Sequence, residues 1–273
     1  MTTKIDLERL ENLLQSAGEQ PPRLFALISW GATATAWLAK LLNAHPECFC
    51  THHLNFAVSL KAGNHDPNND LSIMETLARL GFHYRLVGDC HGINRESVPQ
   101  LLEKFGERFR ACVLVRHPIT RIESSLKHAK NVGLEYYGLD YQILKDTLDT
   151  SLKNLLQTEE QLFFVHIMNL INVVEKEVNV GPIFLMENVT RDFHTAQKLM
   201  QYLSADELDL NSNLYTSSSQ KSINQHSKLA NSSPETLFEK WPEWQREAFR
   251  VLLNPKAKEI YQQLGYDLSC IEG

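Results

Sequence analysis

Two short stretches of the sequence carry residues suited to holding an anion. In the first, Gly31-Ala32-Thr33-Ala34-Thr35-Ala36 follows an apolar run and precedes a helical pattern. Small side chains let main-chain N–H groups approach a ligand closely. A helix N-terminus adds unbonded N–H donors and a partial positive charge. The hydroxyls of Thr33 and Thr35 are further donors. The same residues also read as a plain strand–turn–helix connection with a threonine N-cap. They are not a Walker A loop, because the Gly-Lys-Ser/Thr ending is absent. In the second stretch, CVLVRHPITRIESSLKHAKN, Arg116 ends an apolar run and Pro118 opens a helix that carries Arg121, Ser124 and Ser125. A guanidinium fork and a hydroxyl brought together by the chain reversal suit a phosphate. The alternative is an arginine paired with a structural carboxylate.

A proton acceptor has three candidates. His91 stands just past an apolar run in VGDCHG, and His52 and His53 end another run, CFCTHH. Histidine has the intrinsic pKa for general base work near neutrality. Asp89 is placed to orient His91, and a loop histidine held by a structural hydrogen bond is the plainer reading. No H-x-x-x-H or His/carboxylate spacing points to a metal, so none is expected. The five cysteines, Cys48, Cys50, Cys90, Cys112 and Cys270, have irregular spacing without a zinc-finger pattern. They read as reduced, buried thiols.

The elements that must position these residues alternate. Residues 5–17 read as an amphipathic helix ended by Gly18 and Pro21-Pro22. Strand-like runs follow at 23–30, 48–53, 84–92, 109–117 and 181–189. Helical patterns occupy 35–46, 71–81, 98–106, 118–131, about 140–177 and 190–203. Such alternation implies crossover connections and a parallel sheet covered on both faces. Ligands of such sheets bind beyond the carboxyl ends of the strands, where Thr35, His91 and Arg116 fall. Residues 211–233 are rich in Ser and Asn and read as a long flexible loop. Helices return over 234–268, where Trp241, Trp244 and Phe249 read as core or as a packing face. The 273 residues are expected to form a single domain.

Composition sets limits. Hydrophobic residues make up 43% and charged residues 22%, enough for a substantial core with an ordinary surface. The formal net charge of -6 argues against a nucleic-acid partner. No run approaches the ~18 apolar residues of a membrane span. The charged N-terminus MTTKIDLERLENLLQ does not read as a signal peptide. The expectation is a soluble, unprocessed, cytoplasmic protein.

Together the two anion-suited stretches resemble the PAPS-dependent sulfotransferase family. Thr33-Ala34-Thr35-Ala36-Trp37-Leu38 occupies the positions of the family's S-G-T-T-W-L, and Leu41-Leu42-Asn43-Ala44-His45-Pro46 looks like its L-L-N-x-H-P continuation. Arg116, Pro118, Arg121 and Ser124 match R-x-P-x-x-R-x-x-S at each fixed position. Glu187 in GPIFLMENVTRDF resembles the glutamate of a family strand ending Y-E-D-L. The likeness covers about 23–268 and implies a P-loop-like α/β fold of three layers, with a central parallel sheet flanked by helices and extra helices at the C-terminus. It also implies that Thr33, Ala34, Thr35, Ala36 and Trp37 bind the 5′-phosphosulfate of PAPS, and that Arg116 and Ser124 bind its 3′-phosphate. His91 would then be the base, in the place of the family's K-x-H, with Asp89 where the lysine stands. PAP would be the product.

The family usually carries Lys or Arg where this chain has Ala32. That cation stabilises charge on the bridging oxygen, and its loss costs on the order of 10²–10³ in rate by analogy with a lost oxyanion donor. Arg85, Lys221 and Lys228 are candidate substitutes. The Ser/Asn-rich loop could serve as a lid. The acceptor, a small molecule, lipid or carbohydrate, would meet loops at 54–70, 132–145 and 211–233, with Phe56, Tyr136, Tyr137, Tyr141 and Tyr215. Two alternatives stand beside the transferase: a catalytically degenerate PAP- or PAPS-binding protein, and a phosphotransferase. The second lacks a Walker lysine and a Mg²⁺-holding Asp motif.

Overall fold

In the computed structural model, residues 21–29, 33–52, 67–80, 83–132, 158–220 and 232–272 are described. They divide between two compact units. The first holds a five-stranded sheet: β1 (Arg23–Ile28), β2 (Cys48–His52), β3 (Leu86–Cys90), β4 (Phe109–Val115) and β5 (Ile183–Leu185), in the order β2-β3-β1-β4-β5. The pairs β1–β3, β1–β4 and β2–β3 are parallel. Parallel neighbours need crossovers, and helices supply them. In chain order the helices of this unit are α1 (Thr35–Asn43), α2 (Pro67–Leu80), α3 (Val98–Phe105), α7 (Met186–Arg191), α8 (Phe193–Ser204) and α9 (Ser212–Gln220). The fold is therefore α/β, with a central parallel sheet flanked by helices, as the alternation of runs implied.

β1 lies in the middle of the sheet and is buried on both faces. Leu24, Phe25, Ala26 and Leu27 are fully enclosed, which is why its sequence is unbroken apolar rather than alternating. Phe25 is in register with Gly88 of β3. A Cβ on Gly88 would lie 2.2 Å from the Phe25 carbonyl oxygen and 2.5 Å from its ring. Glycine is required there by close approach, in line with its usual meaning inside a strand.

The second unit is helical: α4 (Pro118–Val132), α5 (Glu159–Asn172), α6 (Val174–Glu177), α10 (Pro234–Glu239), α11 (Glu243–Leu252) and α12 (Pro255–Gln263). Trp241 and Phe249 are buried, and Trp241 and Trp244 both meet Phe164 edge-on. The aromatic cluster of the tail is thus core, as its spacing suggested. The indole N–H of Trp241 donates to Glu123 Oε2 at 2.9 Å, tying the tail to α4.

Several boundaries differ from the sequence reading. The strand expected over 181–189 is only Ile183–Leu185, and the chain turns helical at Met186. An edge strand has a neighbour on one side only, and Asp192 caps the next helix through the N–H groups of His194 and Thr195. The flexible loop expected over 211–233 is corrected over its first part, where Ser212–Gln220 is helix. Tyr215 anchors it: the ring is buried against Trp37 and Phe193, and the hydroxyl donates to the Val189 carbonyl at 3.2 Å. Tertiary packing overrides the poor helix propensity of Ser and Asn here. The helix expected from about 140 is described from Glu159, where Thr158 and Gln161 form a capping box. The N-terminal helix at 5–17 lies outside the described residues, as do Ala32, His53, Phe56, Tyr136, Tyr137, Tyr141, Lys221 and Lys228. Among the described residues no helix is long and apolar enough to cross a membrane.

Candidate functional site

The carboxyl ends of β1, β2 and β3 are adjacent in the first unit, and polar side chains gather there. Ala34, at the N-cap of α1, is left-handed with φ 55° and ψ 23°. Left-handed backbone is uncommon for a residue with a Cβ. The N-cap residue is an alanine, which offers no side-chain bond to the first N–H groups of α1. Thr35 opens the helix, nearly buried, with Oγ1 3.1 Å from Nε2 of His52 at the end of β2. His52 is exposed by area, yet it has lost enough water to hold its pKa below the ordinary histidine value.

His91 follows β3 directly, and its φ of 76° is also left-handed. Its main-chain N–H donates to the Leu27 carbonyl at 2.9 Å. Its ring Nδ1 bonds the Ser29 carbonyl just past β1. A carbonyl only accepts, so Nδ1 carries the proton and the lone pair of the neutral ring is on Nε2. The rings of His52 and His91 stack with centroids 6.2 Å apart and planes 23° from parallel. Beneath His91, the fully buried Asp89 accepts from the Gly92 N–H and, at 2.6 Å, from the Thr51 hydroxyl.

The remaining residues of the small-residue turn are less uniform. Thr33 is buried and Ala36 half-buried. Trp37 donates its indole N–H to the Ser218 carbonyl at 3.1 Å, and its ring meets Tyr215 edge-on. Its side chain therefore seats α9 against α1. Tyr215, expected to meet an acceptor, is core instead.

Arg116 and Ser124 belong to the second unit. Arg116 follows the last residue of β4 and is half-buried, with Nε donating to Thr120 Oγ1 at 3.1 Å. His117 beside it bonds the Asp267 carbonyl through Nε2 at 3.0 Å, which anchors the turn. Ser124 lies half-buried on α4. Arg121 has a structural setting: it is buried and bonds the hydroxyl of Tyr261. Burial raises the Tyr261 pKa, and the Glu177 carboxylate adds to the rise.

Arg85 is corrected as a substitute cation. It precedes β3, at the amino edge of the sheet, opposite to His91, and it pairs with Glu207 and Glu47. Sequence reasoning also missed the Thr35–His52 contact and the Thr51–Asp89 pair. Both join residues apart in the chain: the register of β2 on β3 pairs Thr51 with Asp89, and the start of α1 beside the end of β2 brings Thr35 to His52.

No family model matches the chain, and no curated protein is similar to it in sequence. Among solved structures its fold is similar to that of a sulfotransferase from Alicyclobacillus acidocaldarius, with a TM-score of 0.53 over 93% of this chain and 100% of that one. The identity is 12%, so the likeness is one of fold.

Proposed function

We propose that this protein is a PAPS-dependent sulfotransferase. The observation that carries the reading is the left-handed turn into α1 at the carboxyl edge of the sheet, with an alanine at its N-cap and His52 and His91 beside it. The turn Thr33-Ala34-Thr35-Ala36-Trp37 takes the 5′-phosphosulfate, through main-chain N–H groups and the threonine hydroxyls. Arg116 and Ser124 take the 3′-phosphate. His91 Nε2 accepts the proton of an acceptor hydroxyl or amine. The acceptor atom bonds to sulfur as the bond from sulfur to the bridging oxygen breaks, and PAP leaves with that electron pair. Positioning and charge stabilisation do most of the work in such a transfer. The acceptor class is a small molecule, a lipid headgroup or a sugar, and no metal takes part. A fold similar to that of a solved sulfotransferase adds support.

Ala32 favours a second reading, a protein that binds PAP or PAPS without turnover. Calorimetry with PAP, 5′-AMP and Mg-ATP tests what the two readings share. PAP is expected to bind more tightly than 5′-AMP. Arg116→Ala is expected to weaken PAP by at least about 30-fold, as removal of one partner of a charged hydrogen bond does. Affinity for PAP unchanged by Arg116→Ala sinks the 3′-phosphate assignment. Preference for Mg-ATP moves the protein to phosphoryl transfer. Sulfation of an acceptor by the wild-type chain then separates turnover from binding alone.

A further inference from the structure

We infer that Asp89 is a positioning residue that sets both the backbone and the ring tautomer of His91. The inference rests on the reading above for what His91 does, but the geometry behind it stands apart from that reading. Asp89 is fully buried in β3, where an ionised carboxylate persists only with donors around it. One donor is the Thr51 hydroxyl, 2.6 Å away on β2, and Thr51 is the register partner of Asp89. Another is the Gly92 N–H, three residues along the chain. That second bond spans His91 and closes a tight turn around its left-handed backbone.

A side chain bonded to the N–H three residues ahead offers the main chain an alternative to further strand. Here it turns the chain out of the sheet at His91. The His91 N–H stays on the Leu27 carbonyl, so the residue pivots between β1 and the Asp89 carboxylate. The ring is thereby delivered to the Ser29 carbonyl through Nδ1. Which nitrogen of a histidine keeps the lone pair is decided by the bond that the other makes. Asp89 thus acts at a distance on Nε2, the atom that would take a proton. An aspartate inside an apolar strand, otherwise a costly residue, is accounted for.

The experiment is a long-range ¹⁵N–¹H correlation spectrum of the histidine rings in the full chain at pH 7.5. In the wild type, His91 is expected as the Nδ1–H tautomer. Asp89→Ala should release the ring into a mixture dominated by Nε2–H. Asp89→Asn keeps an acceptor for the Gly92 N–H and should restore Nδ1–H. A wild-type His91 protonated on Nε2, or a folded Asp89→Ala protein with His91 still Nδ1–H, overturns the inference. If Asp89→Ala does not fold, Thr51→Val is read instead. A partial shift toward Nε2–H then supports the inference, and an unshifted ring overturns it. Calorimetry with PAP on the same samples keeps the two readings apart. A wild type with the Nδ1–H ring and no affinity for PAP defeats the transferase proposal and leaves the role of Asp89 intact.

Discussion

At the scale of single residues, the candidate site depends on two left-handed backbones, Ala34 and His91, both carrying a Cβ. A left-handed residue with a side chain costs roughly 1–2 kcal/mol relative to its right-handed form. Glycine removes most of that cost but loses more entropy on folding. Ala34→Gly is therefore expected to stabilise the protein by about 0.5–1 kcal/mol, read as a higher urea midpoint with an unchanged slope. A lower midpoint would show that the methyl group contributes packing that outweighs the backbone. Nothing in the string Thr33-Ala34-Thr35 announces the left-handed turn. A glycine at 34 would have done so, whereas an alanine reads as helix.

At the scale of elements, most of the architecture was legible. Apolar runs of strand length alternated with helical patterns, and Pro118 and Pro46 marked boundaries without any tertiary information. Less legible were elements decided by partners. Ser212–Gln220 is helical because Tyr215 finds Trp37 and Phe193. β5 is short because only three residues join the sheet. The positions of Thr35 and His91 could be read from their places just past strands, but their partners could not. Which strands are neighbours depends on topology, and β2 adjoins β3 rather than β1. The close approach of β3 to β1 at Gly88 is readily tested. Gly88→Ala places a methyl group on the main chain of Phe25. Because β1 is the central strand, the clash cannot be relieved by moving an edge. A loss of about 3 kcal/mol or more is expected in a denaturant titration. A loss below about 1 kcal/mol would mean that β1 and β3 are more loosely paired than described.

At the scale of the whole molecule, ionisation sets a pH profile. Burial holds His52 and His166 below the ordinary histidine pKa of about 6.5. As pH falls through that value, the unfolded chain binds protons that the folded chain refuses. Their contribution to stability is full above it and lost as pH descends to the folded pKa values. Asp192, Asp267 and Glu207 have lowered pKa values, chiefly from hydrogen bonds to Thr195, Ser269 and Arg23. What they contribute is present above the ordinary carboxylate range and fades as pH drops through their folded values. Urea midpoints at pH 7.5, 5.5 and 3.5 should fall in two stages. Replacing His52 and His166 together by Asn should flatten the first stage only. A first stage unaltered by that double change would refute its assignment.

The central place of β1 also bears on how the chain is made. β1 leaves the ribosome as residues 23–28, yet both of its sheet neighbours, β3 and β4, come much later. At about 5–20 residues per second, β1 waits on the order of several seconds for residue 115. Until β3 is complete at residue 90 the apolar row of β1 has neither edge covered, and until β4 is complete one edge stays open. A nascent chain stalled between β2 and β3 is therefore the form of this protein most exposed to aggregation and to capture by chaperones.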